Sequence, residues 1–158
     1  MTRWLSAEQQ AHWRAYIAAT TLLGDRLNRE MQAARGLSMA DYEILVRLSE
    51  APGRRLRMSQ LAEFTLASRS RLSHQIDRLE KVGLVAREPC ESDKRGANAV
   101  LTELGWTTLV DAAPVHVEGV REHLVDLLTD EQFAALGEAL SVVADHLRAD
   151  VDCERDAG

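Results

Sequence analysis

At 158 residues, 46% of them hydrophobic, the chain can bury one substantial core, which excludes a disordered tail and leaves little room for a second full domain. Three prolines and nine glycines favour a helix-rich fold; no run approaches the roughly 20 apolar residues of a membrane span, and the opening MTRWLSAEQQAHW lacks the apolar core of a secretory signal, so a cytoplasmic protein with no membrane partner is expected. The net charge of −6 argues against a polyanionic partner until its distribution is read: residues 52–96 hold ten Lys/Arg against six Asp/Glu, whereas residues 103–158 hold three against thirteen.

Ser6-Ala7-Glu8-Gln9 fits a capping box and predicts a helix to about Arg35, where Gly36 can stop it. Trp13, Ile17, Thr20, Leu23, Leu27 and Met31 recur close to a heptad rhythm. So long a helix exceeds the core of a small monomer, and its seam is expected to pack against another subunit. Ser38 opens a second helix with Tyr42, Leu45, Leu48 and Ser49 as its buried stripe, ended by the Pro52-Gly53 turn. Leu56-Arg57-Met58 reads as an extended link, residues 59–64 as a short helix and Thr65-Leu66-Ala67 as a turn. Ser68 caps the next helix, which runs to Val82 and stops at Gly83.

At about 100° per residue, Leu72, Ile76 and Leu79 of that helix share one face. Ser70, His74, Arg78 and Lys81 fall opposite, with Arg71 on the flank; Arg69 lies near the core boundary, where its long stem can reach outward. Leu84 to Arg87 reads as a strand paired with Ala99 to Leu101, across a charged loop built around Asp93-Lys94-Arg95-Gly96. Thr102 caps a helix from Glu103 to about Leu128 that Pro114 should kink or break. Thr129 to Gln132 forms a second capping box, opening a last helix to about Leu147 with Phe133, Leu136, Leu140, Val143 and Ala144 on its apolar face; the acidic tail beyond is expected to fray.

A short helix, a turn, a basic helix and a basic-tipped hairpin make a shape suited to duplex DNA. Ser68, Ser70 and His74 are assigned to groove contacts, and Arg69, Arg71 and Arg78 to phosphates or the guanine O6/N7 edge. Arg54, Arg55 and Arg57 are candidate phosphate anchors. Asp77 is expected to steady Arg95 or a neighbouring arginine by a charge-assisted bond. No catalytic set is found: there is no nucleophile elbow, glycine-rich phosphate loop or His-x-x-x-His pair, and neither Cys90 nor Cys153 belongs to a C-x-x-C motif. His116 and His123, seven apart, are a thin metal site on their own, so no metal or cofactor is expected.

MSQLAE over residues 58–63, SRSRLSHQIDRLEKVGLV over 68–85 and DKRGANAVLT over 93–102 resemble the multiple-antibiotic-resistance regulator (MarR) family of winged helix-turn-helix transcription factors. The resemblance covers roughly residues 6–148 of a single 158-residue unit. It implies a mainly α fold with a small β-hairpin wing: a DNA-binding lobe over 38–102, dimerisation helices over 6–35 and 103–148, and an acidic tail over 149–158. It further implies a homodimer on a pseudo-palindromic operator, with recognition helices in major grooves and wings in flanking minor grooves. In the wing, Asp93 would hold the loop while Lys94 and Arg95 meet DNA, Arg95 in the minor groove. Many members release DNA when a small aromatic or anionic effector binds between the dimer helices and the DNA-binding lobe. His12, Trp13, Tyr16 and Tyr42 are the candidate pocket residues, and the expected activity is that of a ligand-responsive repressor rather than an enzyme.

Overall fold

The computed structural model describes residues 1–65, 67–90 and 93–156, with the backbone alone at 93–95 and 150–156. The elements run α1 (Ala7–Arg35), α2 (Met39–Glu50), β1 (Arg55–Arg57), α3 (Met58–Phe64), α4 (Arg69–Lys81), β2 (Val85–Cys90), β3 (Asp93–Leu101), α5 (Glu103–His123) and α6 (Asp130–Asp156). They form two compact units, Met1–Gly119 and Val120–Gly158.

Local chemistry accounts for the helix ends. The Ser6 hydroxyl accepts from the Gln9 N–H at 3.1 Å, and the Gln9 carboxamide accepts from the Ser6 N–H at 3.0 Å. Gly36 closes α1 at φ 69°, a conformation that costs glycine nothing because it has no Cβ. Asn28 Oδ1 accepts from the Met39 N–H at 3.0 Å, tying α1 to the start of α2, and Ser38 caps the Asp41 N–H. Thr129 and Gln132 form the second capping box, ahead of α6.

The core lies in the first unit. Ile44, Leu45 and Leu48 of α2, Leu61 of α3, Leu72 and Ile76 of α4 and Val85 of β2 are each at most 1% exposed and belong to one cluster. Burying each such side chain is worth about 1.5–3 kcal/mol relative to leaving it in water. Beside the core, β3 is the central strand of an antiparallel sheet ordered β1-β3-β2.

Four expectations are corrected. Residues 55–57 are not a free link: Leu56 pairs with Ala99, giving β3 a partner on its second edge, and Met58 already belongs to α3. The hairpin strands are longer than the charged composition suggested, because small residues at 96, 97 and 99 keep the ladder open and Pro89 sits on the edge strand β2, where a missing donor is tolerated. Pro114 does not break α5. Pro114 and Val110, whose carbonyl loses its usual donor, are both exposed and can be hydrated, and the helix ends at His123 before a 3₁₀ turn at Val125–Leu127. α6 continues past Leu147 to Asp156, since no Gly or Pro lies between Leu147 and Gly158. Leu66 lies outside the described residues.

The apolar seam of α1 is mostly open in the single chain. Met31 is buried, but Trp13 is 50% and Ile17 42% exposed. In the second unit, Phe133, Leu140, Val143 and Leu147 are likewise exposed.

The junction of sheet and α5 is tight. Thr102 Oγ1 donates to the Gly83 carbonyl at 2.6 Å and accepts from the Gly105 N–H at 2.9 Å. A Cβ on Gly105 would overlap the Leu84 carbonyl oxygen and lie 2.7 Å from Leu101 Cδ1. Gly105→Ala is therefore expected to destabilise the fold by about 2–3 kcal/mol in urea unfolding. A loss below about 1 kcal/mol would show that the junction relaxes freely.

Candidate nucleic-acid interface

Helix α4 is held by its apolar stripe. Leu72, Ile76 and Leu79 are at most 3% exposed, so the opposite face must point to solvent. Ser68, Arg69, Ser70, Arg71, His74 and Arg78 are all exposed, Ser70, His74 and Arg78 on that face and Arg69 and Arg71 on its flanks. Ser68 Oγ accepts from the Arg71 N–H at 3.2 Å, fixing the N-terminus from which Ser70 and Arg71 project. The backbone of the wing residues Asp93, Lys94 and Arg95 belongs to β3; their side chains lie outside the described residues.

Asp77 steadies an arginine, and that arginine is Arg87 of β2. The Arg87 guanidinium donates to Asp77 Oδ1, to Glu80 Oε2 at 3.0 Å, and to the Ser73 carbonyl and hydroxyl at 3.1 and 3.3 Å. The Arg87 N–H donates to Glu80 Oε1 at 3.2 Å. The hydrogen bond from the Arg87 guanidinium is the main cause holding the Asp77 carboxyl below its ordinary range; the nearby charges of Arg87, His74 and Lys81 act in the same direction. One planar fork thus joins the first wing strand to the outer side of α4. A groove of about 560 Å³ lies between α3, α4 and the sheet, with Arg57, Arg69, Ser73 and Arg87 among its walls.

Several basic residues already have partners. Arg78 Nη2 reaches Asp41 Oδ1 at 2.7 Å, linking α4 to α2. Arg54, at φ 54°, pairs with Glu103 at 2.9 Å and lies 4.2 Å from the Trp106 ring centroid, bracing the start of α5. Arg55 pairs with Glu88 at 3.3 Å. His74 Nδ1 is 3.9 Å from Asp77.

The candidate pocket residues divide into two groups. Trp13 and Tyr16 stack at 5.7 Å on the exposed side of α1, and His12 beside them is exposed. Tyr42 is buried and faces the His116 ring at 5.0 Å; no ring contact among the described residues joins it to Trp13 or Tyr16. Burial pushes the Tyr42 phenol up and the His116 imidazole down, so both are neutral at pH 7. His116 Nδ1 is buried with no hydrogen-bond partner among the described residues.

Sequence reasoning missed Arg87 and Asp41 as parts of the ion-pair networks, His116 as the ring facing Tyr42, and Gln75 as a buried polar residue. Gln75 carried a signal, since it falls between Leu72 and Leu79 at helical spacing and therefore lies along the buried stripe.

An outward polar helix braced against a three-stranded wing is the geometry of a winged helix-turn-helix regulator. A family model described as "MarR family" matches residues 35–96. The chain is 51% identical to AbsC, a MarR family transcriptional regulator from Streptomyces coelicolor, over 94% of this chain and 99% of that one, with a TM-score of 0.88. It is also 51% identical to Sco3205, a MarR family regulator of the same organism solved in complex with DNA, over 92% of each chain, with a TM-score of 0.89. The transcriptional repressor YetL of Bacillus subtilis is 30% identical over 132 residues, 78% of this chain and 79% of YetL. The chain belongs to the MarR family of transcriptional regulators. No helix among its described residues is long and apolar enough to cross a membrane.

Arg87→Met keeps the apolar stem and removes the fork. It should weaken binding to a selected DNA site roughly tenfold with the helical circular dichroism unchanged, because the wing loses its fixed angle to α4; affinity within twofold of the wild type would show that the network does not position the wing. A second expectation concerns pH. The folded pKa of His116 lies below the ordinary 6.5, so the unfolded chain takes up the proton more readily. The stability associated with neutral His116 is complete above about pH 6.5 and is lost as pH falls from there toward the depressed folded value. Urea unfolding at about pH 7.5 and about pH 5.5 should show a larger acid loss for the wild type than for His116→Phe. Equal losses would remove His116 from the pH response.

Proposed function

We propose that this protein is a sequence-specific repressor that binds double-stranded DNA as a homodimer on a pseudo-palindromic operator. The observation that carries this reading is the exposed polar and basic face of α4, in a chain 51% identical to a regulator solved in complex with DNA. Ser68, Ser70 and His74 face the groove. Arg69 and Arg71 meet phosphates or guanine edges, and Arg78 reaches DNA alongside its pair with Asp41. Lys94 and Arg95 enter the flanking minor groove, while Asp93 holds the wing.

Dimerisation is supported by the open apolar residues of α1 and α6, which water would otherwise cover at a cost. Repression is favoured by the named activity of YetL. A small aromatic or anionic effector, seated near His12, Trp13, Tyr16 and Tyr42, would relieve it by favouring a dimer geometry that cannot span both half-sites.

Selection of genomic fragments by the purified protein, followed by sequencing, should return a short inverted repeat. The logarithm of affinity for that repeat should fall steeply with the logarithm of salt. Random fragments with a flat salt dependence would refute the reading. Arg95→Ala, with the dimer intact, should cost about 1–3 kcal/mol of binding, and affinity within about twofold of the wild type would remove the wing contact.

A further inference from the structure

A second hollow, of about 540 Å³, is separate from the groove between α4 and the sheet. It is walled by the C-terminal part of α1, the first turn of α2 and one side of α4, where Arg71, Gln75 and Arg78 follow each other at helical spacing. Three observations concern what it holds. Gln75 is only 8% exposed and is the polar residue buried among the described residues, yet its carboxamide, which makes no hydrogen bond to the described residues, is not sealed in the core but opens into the hollow. The first-turn N–H groups of Met39 and Asp41 are capped by Asn28 and Ser38, but the N–H of Ala40, which lines the hollow, has no acceptor among the described residues. The Arg71 guanidinium has no ion pair among the described residues, and that of Arg78 is paired with Asp41.

Two guanidinium groups and one carboxylate leave the hollow with a net positive charge, and the N-terminus of the 12-residue α2 adds to it. A backbone N–H, a carboxamide and an arginine that face the hollow, without acceptors among the described residues, suit a tetrahedral anion with several acceptor oxygens. The hollow adjoins the flank of α4, next to the face carrying Ser70 and His74. When that face enters a groove, its flank lies against the groove wall, which is made of phosphates.

We propose that this hollow binds one phosphate group, held by the Gln75 carboxamide N–H, the Ala40 N–H and the Arg71 guanidinium, with Asp41 positioning Arg78 at its edge. The occupant is a backbone phosphate of the bound duplex, an assignment that rests on the DNA-binding reading above; inorganic phosphate is the other source of the same chemistry. The contact would set how deeply α4 sits in the groove without reading a base.

The test uses the full chain and a duplex recovered by the genomic selection, prepared as a series with one neutral methylphosphonate at each position in turn. One position per half-site should lower wild-type affinity roughly tenfold but Gln75→Glu affinity by no more than about twofold, because the variant has already lost that contact. Gln75→Glu should also bind the unmodified duplex roughly tenfold more weakly, with a salt slope smaller by about one per subunit. If Gln75→Glu does not fold, Gln75→Met and Arg71→Gln replace it against the same series. Affinity of the folded variant within twofold of the wild type, or a methylphosphonate profile unchanged by the substitution, overturns the proposal. If the wild type binds no DNA, thermal unfolding in inorganic phosphate decides. A rise in Tm that Gln75→Glu lacks keeps the phosphate site and removes the DNA reading, and no rise in the wild type overturns both.

Discussion

The orientation of α4 is the constraint on which the rest of the structure depends. Leu72, Ile76 and Leu79 lie in the same buried cluster as Ile44, Leu45 and Leu48 of α2 and Leu61 of α3. Turning the helix by one residue about its axis would expose part of this stripe and carry charged side chains toward an apolar interior, where an unpaired charge is prohibitively costly. The polar face is therefore aimed by what the opposite face must bury. The proposed recognition surface needs no rigidity of its own, because the core supplies it.

Charged contacts then remove the freedom that apolar packing leaves. Exposed ion pairs contribute little stability singly, but their directions are informative. Arg78 ties α4 to α2, Arg87 ties it to β2, and Arg54 with Trp106 and Glu103 ties the turn before β1 to α5. These contacts also narrow the basic patch suggested by composition. Arg54, Arg55, Arg78 and Arg87 all have carboxylate partners, whereas Arg69 and Arg71, at the N-terminal half of α4, have no ion pair among the described residues.

The same hydrophobic logic operates in reverse on α1 and α6. Both are capped and regular, yet most of their apolar residues find no cover within their own unit. A helix can be dictated locally by caps and periodicity while its burial awaits another surface. A second copy of the chain is the proposed source of that surface, and it would couple the spacing of the two recognition helices to whatever alters the seam.

Much of the fold was legible in the sequence because its signals are local. The Ser6, Ser38, Ser68 and Thr129 caps, the Gly36 stop and the Leu72-Ile76-Leu79 stripe each depend on residues a few positions apart, and all appear where their chemistry predicts. The solvent-facing residues of α4 followed from the same periodicity. The sequence alone thus determined which helices form and which side of α4 turns to solvent. Only the tertiary structure decided that residues 55–57 join the sheet, that Asp77 holds Arg87, that Arg78 is shared with Asp41, that Tyr42 faces His116, and that Gln75 lines a hollow beside the start of α2. Helical spacing fixes the direction in which a side chain points. Which group it meets there depends on the packing of segments distant in the chain, and no local pattern encodes that.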